Sequence, residues 1–318
     1  MIVNQSVILD KLMKRISAIL ALLAICLPAL AHEYLSFDEL TDSFGMDLDN
    51  TQIATETVAP GLHVLFGVGG NVIASIGHQG VLMVDSQFPQ MIPRIRDTIK
   101  ELGGEGIDFT INTHWHFDHA DGNPLLGRDG SWLVSQSNSR RMMSGEHAID
   151  LVSVIYKQPP YPAEALPVIT FSDHMQFHFN GETIDLFHFG PAHTTGDAAV
   201  YFRSSNVVHM GDVFNASYPF IDAGNGGDLE GMIRFCRKVL AELEENSIVI
   251  PGHGPVLGYA DLHNYTSMLE TVGARISRMI DDGKSLEEVI AAAPTADFDE
   301  QYGNPDRFID RAYVSLSR

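Results

Sequence analysis

The chain has 318 residues, 45% of them hydrophobic and 19% charged, an ordinary globular composition that can bury a core in one large domain or two small ones. A formal net charge of -21 excludes a nucleic-acid partner without a compensating basic patch, and none is visible; it also argues against attachment to anionic membranes in the mature form. The sequence holds Cys26 and Cys236 only, and the first of them lies in a stretch read as removable.

That stretch is the N-terminus. Lys14-Arg15 is a short basic region, and residues 16–27 form an apolar run of signal-peptide length, too short for a comfortable membrane span. Ala29-Leu30-Ala31 is an A-x-A cleavage site, so residues 1–31 read as a signal peptide, with His32 as the mature N-terminus and Met13 as an alternative start. Cys26 follows Ile25 rather than the small residue a lipid-anchor site requires, and an uncleaved anchor is the rival reading. The expectation is a periplasmic or secreted protein. After cleavage Cys236 has no intramolecular partner and reads as a small buried hydrophobe.

Residues 32–60 are acidic and read as an irregular lead-in. Short strands follow at 62–66, 72–76 and 81–84, separated by Gly69-Gly70-Asn71 and His78-Gln79-Gly80. Residues 90–102 have helical spacing closed by Gly103-Gly104. A strand at 107–112 runs into Asn112-Thr113-His114-Trp115-His116-Phe117-Asp118-His119.

This segment organises the chain. It sets three imidazoles and a carboxylate within six positions, as H-x-H-x-D-H, a density no structural need explains. On an extended strand end, positions two apart point the same way, whereas on a helix they nearly oppose. His114 and His116 can therefore grip one metal. A turn into a helix swings Asp118 and His119 toward a second position nearby.

Beyond it, 132–135 reads as a strand and 137–143 as a short helix. Residues 146–167, with four prolines, read as a crossing segment that forms a wall or lid of the site. Strands at 168–171, 175–179 and 183–189 surround the Asn180-Gly181 turn, and 198–202, 207–210 and 248–250 complete a second set. Helices are predicted at 229–244, 259–280 and 286–293, with the last residues as an appended tail. Strands cluster in both halves and each half ends in helices, which suits two sheets packed face to face with helices outside: an α/β, four-layer αββα sandwich.

Three further strand ends display a ligand beside glycine or proline: Gly190-Pro191-Ala192-His193, His209-Met210-Gly211-Asp212 and Pro251-Gly252-His253-Gly254. With the histidine segment, their order resembles the metallo-β-lactamase superfamily of metal-dependent hydrolases, from about residue 62 to residue 254. The resemblance implies a domain over 61–258, with 259–318 as a C-terminal helical extension. It implies two zinc ions, with iron or manganese as alternatives. His114, His116 and His193 would bind the first ion, Asp118, His119 and His253 the second, and Asp212 would bridge them. Asp85 would brace the histidine segment. The implied reaction is hydrolysis of a carbonyl compound by water activated between the ions, with Asp118 orienting the nucleophile.

The substrate is less determined. Asp212 is similar to what glyoxalase II and the lactonases carry. Asn225, in Asn225-Gly226-Gly227-Asp228, resembles a β-lactam carbonyl contact. Asn215 stands where β-lactamases hold the substrate carboxylate with lysine, and losing that contact weakens binding by about tenfold to a hundredfold. Tyr218, Pro219 and Phe220 are expected to line the pocket. The expectation is a small cyclic amide or ester, with weak or broad β-lactam turnover; a lactonase or thioester hydrolase is the alternative, and a mononuclear iron, sulfur-oxidising enzyme a further one. The remaining histidines read as structural, His188 being the best candidate among them for more. Nothing in the sequence bears on oligomeric state.

Overall fold

The computed structural model describes residues 34–318, so the proposed signal peptide lies outside the described residues. Two large sheets dominate. The first has seven strands in the order Ile169–Phe171, Trp132–Gln136, Phe109–Asn112, Gly80–Val84, Val72–Gly77, Leu62–Phe66 and Ala54–Ala59. The second has six: His174–Phe179, Glu182–Phe187, Ala199–Phe202, Val207–His209, Ile248–Ile250 and Leu257–Gly258.

Side-chain alternation builds the layers. On the first sheet Leu62, Val64, Ile73, Leu82 and Val84 face the second sheet, where they meet Ile184, Leu186, Val200, Phe202 and Ile250. Their alternates Leu65, Val72, Ala74, Val81 and Met83 face outward onto Ile92, Ile95 and Ile99 of the helix Ile92–Glu101. On the second sheet Ala199, Tyr201, Val208 and Val249 face outward onto Phe235, Tyr265, Val272 and Phe308 of the C-terminal helices. The central strands are thus apolar on both sides, as an inner layer must be, and each fully buried aliphatic side chain contributes about 1.5–3 kcal/mol. The result is the four-layer αββα sandwich.

Three expectations change. Residues 32–60 are not irregular. A helix Phe37–Ser43 starts with a capping box between Ser36 and Glu39, and Ala54–Ala59 is the outermost strand of the seven-stranded sheet. That strand exposes most of its residues, so it lacks the apolar alternation that would have marked it. Residues 146–167 form a hairpin, His147–Asp150 with Ile155–Gln158, to which Tyr34–Leu35 adds as a third, parallel strand. Gln158 Nε2 donates to the carbonyl of Trp115 at 3.0 Å, so this small sheet is fastened against the histidine segment. The chain end is no tail: the helix Asp306–Leu316 buries Phe308, Ile309 and Ala312 in the same core as the helix Tyr259–Asp281.

The parallel strands Gly80–Val84, Phe109–Asn112 and Trp132–Gln136 end on one edge, as do the parallel Val207–His209 and Ile248–Ile250 of the other sheet. The segments carrying Asp85, His114, Asp212 and His253 leave from these ends.

Candidate metal centre

Asp85 anchors the first sheet's contribution. Fully buried and at φ 63°, it accepts hydrogen bonds from the Thr113 N–H and the Thr113 hydroxyl, both at 2.7 Å. Left-handed backbone at a non-glycine residue is unfavourable by about 1–3 kcal/mol, and aspartate tolerates it better than most residues. The bonds to Thr113 hold the start of the histidine segment. The short helix Phe117–Ala120 then buries Phe117 against Tyr156 and turns Asp118 and His119 inward.

Hydrogen bonds fix the tautomer of four imidazoles. His116 Nε2 donates to Asp222 at 3.0 Å, His119 Nδ1 to Asp85 at 2.7 Å, and His193 Nδ1 to the Phe220 carbonyl at 2.7 Å. His114 Nδ1 donates to the Thr113 hydroxyl at 3.1 Å. In every case the other ring nitrogen keeps a lone pair, and all four lone pairs converge.

The convergence makes three donor groups: His114, His116 and His193; His114, His119 and Asp212; and Asp118, His119 and His253, with the atoms of each group within 4.8 Å of one another. His116 Nδ1 and His193 Nε2 are 2.8 Å apart. His119 Nε2 is 3.3 Å from His253 Nε2 and 3.0 Å from Asp212 Oδ1. Asp118 Oδ2 is 3.1 Å from His253 Nε2, and Asp212 Oδ2 is 3.9 Å from His193 Nε2. Asp212 therefore touches both sets.

Facing lone pairs at these separations repel unless positive charge sits between them. His114 Nε2 is buried with no hydrogen-bond partner, and Asp212 Oδ1 also lacks an aligned donor. Burial, then the neighbouring imidazoles His119, His193 and His116, hold His114 well below the usual histidine range, so it is neutral and ready to ligate. Burial and the nearby His116 imidazole also lower His193. Burial opposes ionisation of Asp118, but the positive potential of His119 and His253 outweighs it and holds this carboxyl at about 2. Neutral His114 and His193 beside the ionised carboxylates of Asp118 and Asp212 are the donor chemistry of zinc, iron or manganese, so these residues fit metal ions.

Backbone approaches the ligands too closely for side chains. A Cβ on Gly70 would lie 2.1 Å from His119 Cε1, and one on Gly252 would lie 2.0 Å from Asp212 Oδ1. Both loops are stitched across the two sheets by Asn71, whose N–H donates to the Gly252 carbonyl and whose amide donates to the Pro251 and Gly254 carbonyls. Buried His209 donates to the Asn71 carbonyl at 2.9 Å and accepts from the Gly211 N–H at 3.0 Å.

The seven residues predicted as ligands come together, with Asp85 behind them. The three predicted substrate contacts are placed otherwise. Asn215 is buried and accepts from the His253 N–H at 2.9 Å, so it holds the ligand loop. Asn225 directs its amide to the Ala148 carbonyl and to both oxygens of Asp222. Tyr218 turns into the core, stacks on Phe308 at 5.2 Å and donates to Asp299 at 2.9 Å. Phe220 does stand beside the centre, its ring 6.2 Å from that of His116 and 5.8 Å from that of His193. His188 supports the His193 loop from behind by donating to the Asp197 carbonyl at 2.7 Å. Asp222 went unrecognised in the sequence because it lies in a turn with no ligand-like neighbour, and only the fold brings it to His116.

A sequence model of the metallo-beta-lactamase superfamily matches residues 65–253, more than half of the chain. Among solved structures the chain is similar to the DIM-1 metallo-beta-lactamase, with a TM-score of 0.56 and 18% identity over 69% of this chain and 98% of that one. It is similar to a metallo-beta-lactamase from Pontibacter korlensis at TM-score 0.56 and 16% identity, covering 69% and 99%, and to TMB-1 at TM-score 0.54 and 14% identity, covering 69% and 97%. At such identities the likeness speaks for the fold. Strand-end histidines and aspartates converging across two sheets, together with the match over residues 65–253, place the chain in the metallo-beta-lactamase superfamily.

Proposed function

We propose that the protein is a dinuclear, zinc-dependent hydrolase of cyclic amides or esters, exported to the periplasm or beyond. The observation that carries this reading is the pair of donor sets joined by Asp212, with four imidazole tautomers set in advance by Asp222, Asp85, Phe220 and Thr113. Two divalent ions held there supply Lewis acidity that lowers the pKa of water toward neutrality and polarises a carbonyl.

The protein's own residues do the rest. His114, His116 and His193 hold one position rigidly, since each is buried and hydrogen-bonded behind. Asp118 engages His253 through Oδ2, which leaves Oδ1 to accept a hydrogen bond from the attacking water and keep its lone pair aimed at the carbonyl. His253 is the most open of the ligands, its side chain 40% exposed, so substrate enters on its side. Asn215 and Asn225 are both engaged within the protein, which supports weak β-lactam turnover and keeps lactones and thioesters in view.

The test is metal analysis of purified protein followed by a panel of lactams, lactones and thioesters. Two equivalents of zinc with turnover of at least one cyclic substrate are expected, and His116→Ala should abolish that turnover while leaving the far-ultraviolet dichroism unchanged. A single iron with no hydrolysis of any panel member would overturn the reading.

A further inference from the structure

We infer that the cavity beyond Phe220 is a subsite for a carboxylate-bearing arm of the substrate, held by the guanidinium of Arg307. The inference rests on the hydrolase reading above and adds the substrate's charge to it. The cavity, of about 590 Å³, lies between the hairpin tip at Leu151–Ser153, the segment from Ser217 to Phe220, and the residues from Tyr302 to Phe308. Phe220 is the wall it shares with the metal centre, through the ring contacts to His116 and His193 and the carbonyl that orients His193.

Arg307 is half-buried, yet among the described residues it has no hydrogen-bond acceptor and no ion pair; its charge meets only the face of Phe44, 5.2 Å away. Arg311, one helical turn on, is paired with both Asp150 and Asp310. Removing a guanidinium from water without a partner is unfavourable, and burial pulls Arg307 below its ordinary range. Asp306 also lines the cavity but is exposed and makes no ion pair with it. The rim carries an independent sign of a shaped site. Val152 stands at φ 72°, where a β-branched residue is strained, and is held there by its N–H donating to Asp150 at 2.9 Å. A carboxylate satisfies the guanidinium's donors as no neutral group does.

The test uses metal-loaded protein and a matched pair of lactones, one bearing a side-arm carboxylate and the other its methyl ester. Arg307→Gln should raise KM for the acid by about tenfold to a hundredfold, leave kcat within about twofold, and leave the ester unchanged. Arg307→Lys should restore part of the loss. Calorimetric titration with phenylacetate provides a readout apart from turnover: its affinity should fall in Arg307→Gln by a similar factor. If neither lactone is hydrolysed, the hydrolase reading fails while the titration still decides on Arg307. Equal KM changes for acid and ester, or phenylacetate binding that Arg307→Gln leaves intact, would place the carboxylate elsewhere and overturn the subsite.

Discussion

At the scale of single residues, the ligands carry their meaning in the sequence and their supports do not. His114 to His119 form one dense segment, and His193, Asp212 and His253 each follow a strand beside glycine or proline. Asp222 has no such surroundings; it matters because folding brings it to His116 across a separation of 106 residues. Asn215 and Asn225, expected at the substrate, have partners within the protein that the sequence does not announce, since an amide near a site can serve the backbone as readily as a ligand. Asp222→Asn should keep the shape and remove the negative charge behind His116, letting the ring take either tautomer. Metal affinity should fall by about tenfold to a hundredfold in competition with a chromophoric chelator. An unchanged affinity would show that Asp222 has no part in orienting the ring.

At the scale of elements, the strands that fill the sandwich were legible because both of their faces are apolar, and helices were legible from their spacing. The strand Ala54–Ala59 was not, because an edge strand in water needs no apolar face. The helix Asp306–Leu316 was missed as well, although it closes the outer layer and fastens the hairpin through Arg311 and Asp150. The second sheet's outer face carries a pH-sensitive tie of its own. Burial raises the pKa of Asp185, but hydrogen bonds from Arg203, Gln176 and His174 outweigh it, so the folded-state pKa lies below the ordinary carboxylate value. Because that pKa is depressed, the stabilisation is present above the ordinary range and is lost as pH falls through it. Arg203→Met should therefore lower stability at pH 7 by about 1 kcal/mol, a modest figure because the guanidinium is partly in water. The difference in urea midpoint between variant and parent should shrink at pH 3. A difference that stays constant with pH would mean that Arg203 acts by packing alone, over Tyr201 and Phe187.

At the scale of the whole molecule, each sheet supplies part of the site. His114, His116, Asp118 and His119 follow a strand of the first sheet, and His193, Asp212 and His253 come from loops of the second. Ions bound between them would tie the two sheets at one edge, beyond what the apolar layer between the sheets already does. Stripping metal should lower the melting temperature. At free metal a hundredfold above its dissociation constant, the stabilisation is about 2.7 kcal/mol, which corresponds to a shift of about 4 °C for a chain of this size. Scanning calorimetry with and without chelator, and with zinc restored, measures it. No shift on chelation would mean that the edge is fully formed without ions. The overall layering was legible from the distribution of strands and helices, whereas the fastening of the C-terminal helices was not, because helical spacing shows that a face is apolar without showing what it meets.

Gly70 and Gly252 lead to a different consequence. Neither needs the left-handed backbone that usually selects glycine, and both could take a side chain as far as their own torsions are concerned. What forbids it is the space already occupied by His119 and Asp212. At these two positions the alphabet is restricted from outside the loop, by atoms forty or more residues distant. A reader of turn propensities would pass over them, while a map of tolerated substitutions would outline the ligands as a mould outlines its casting.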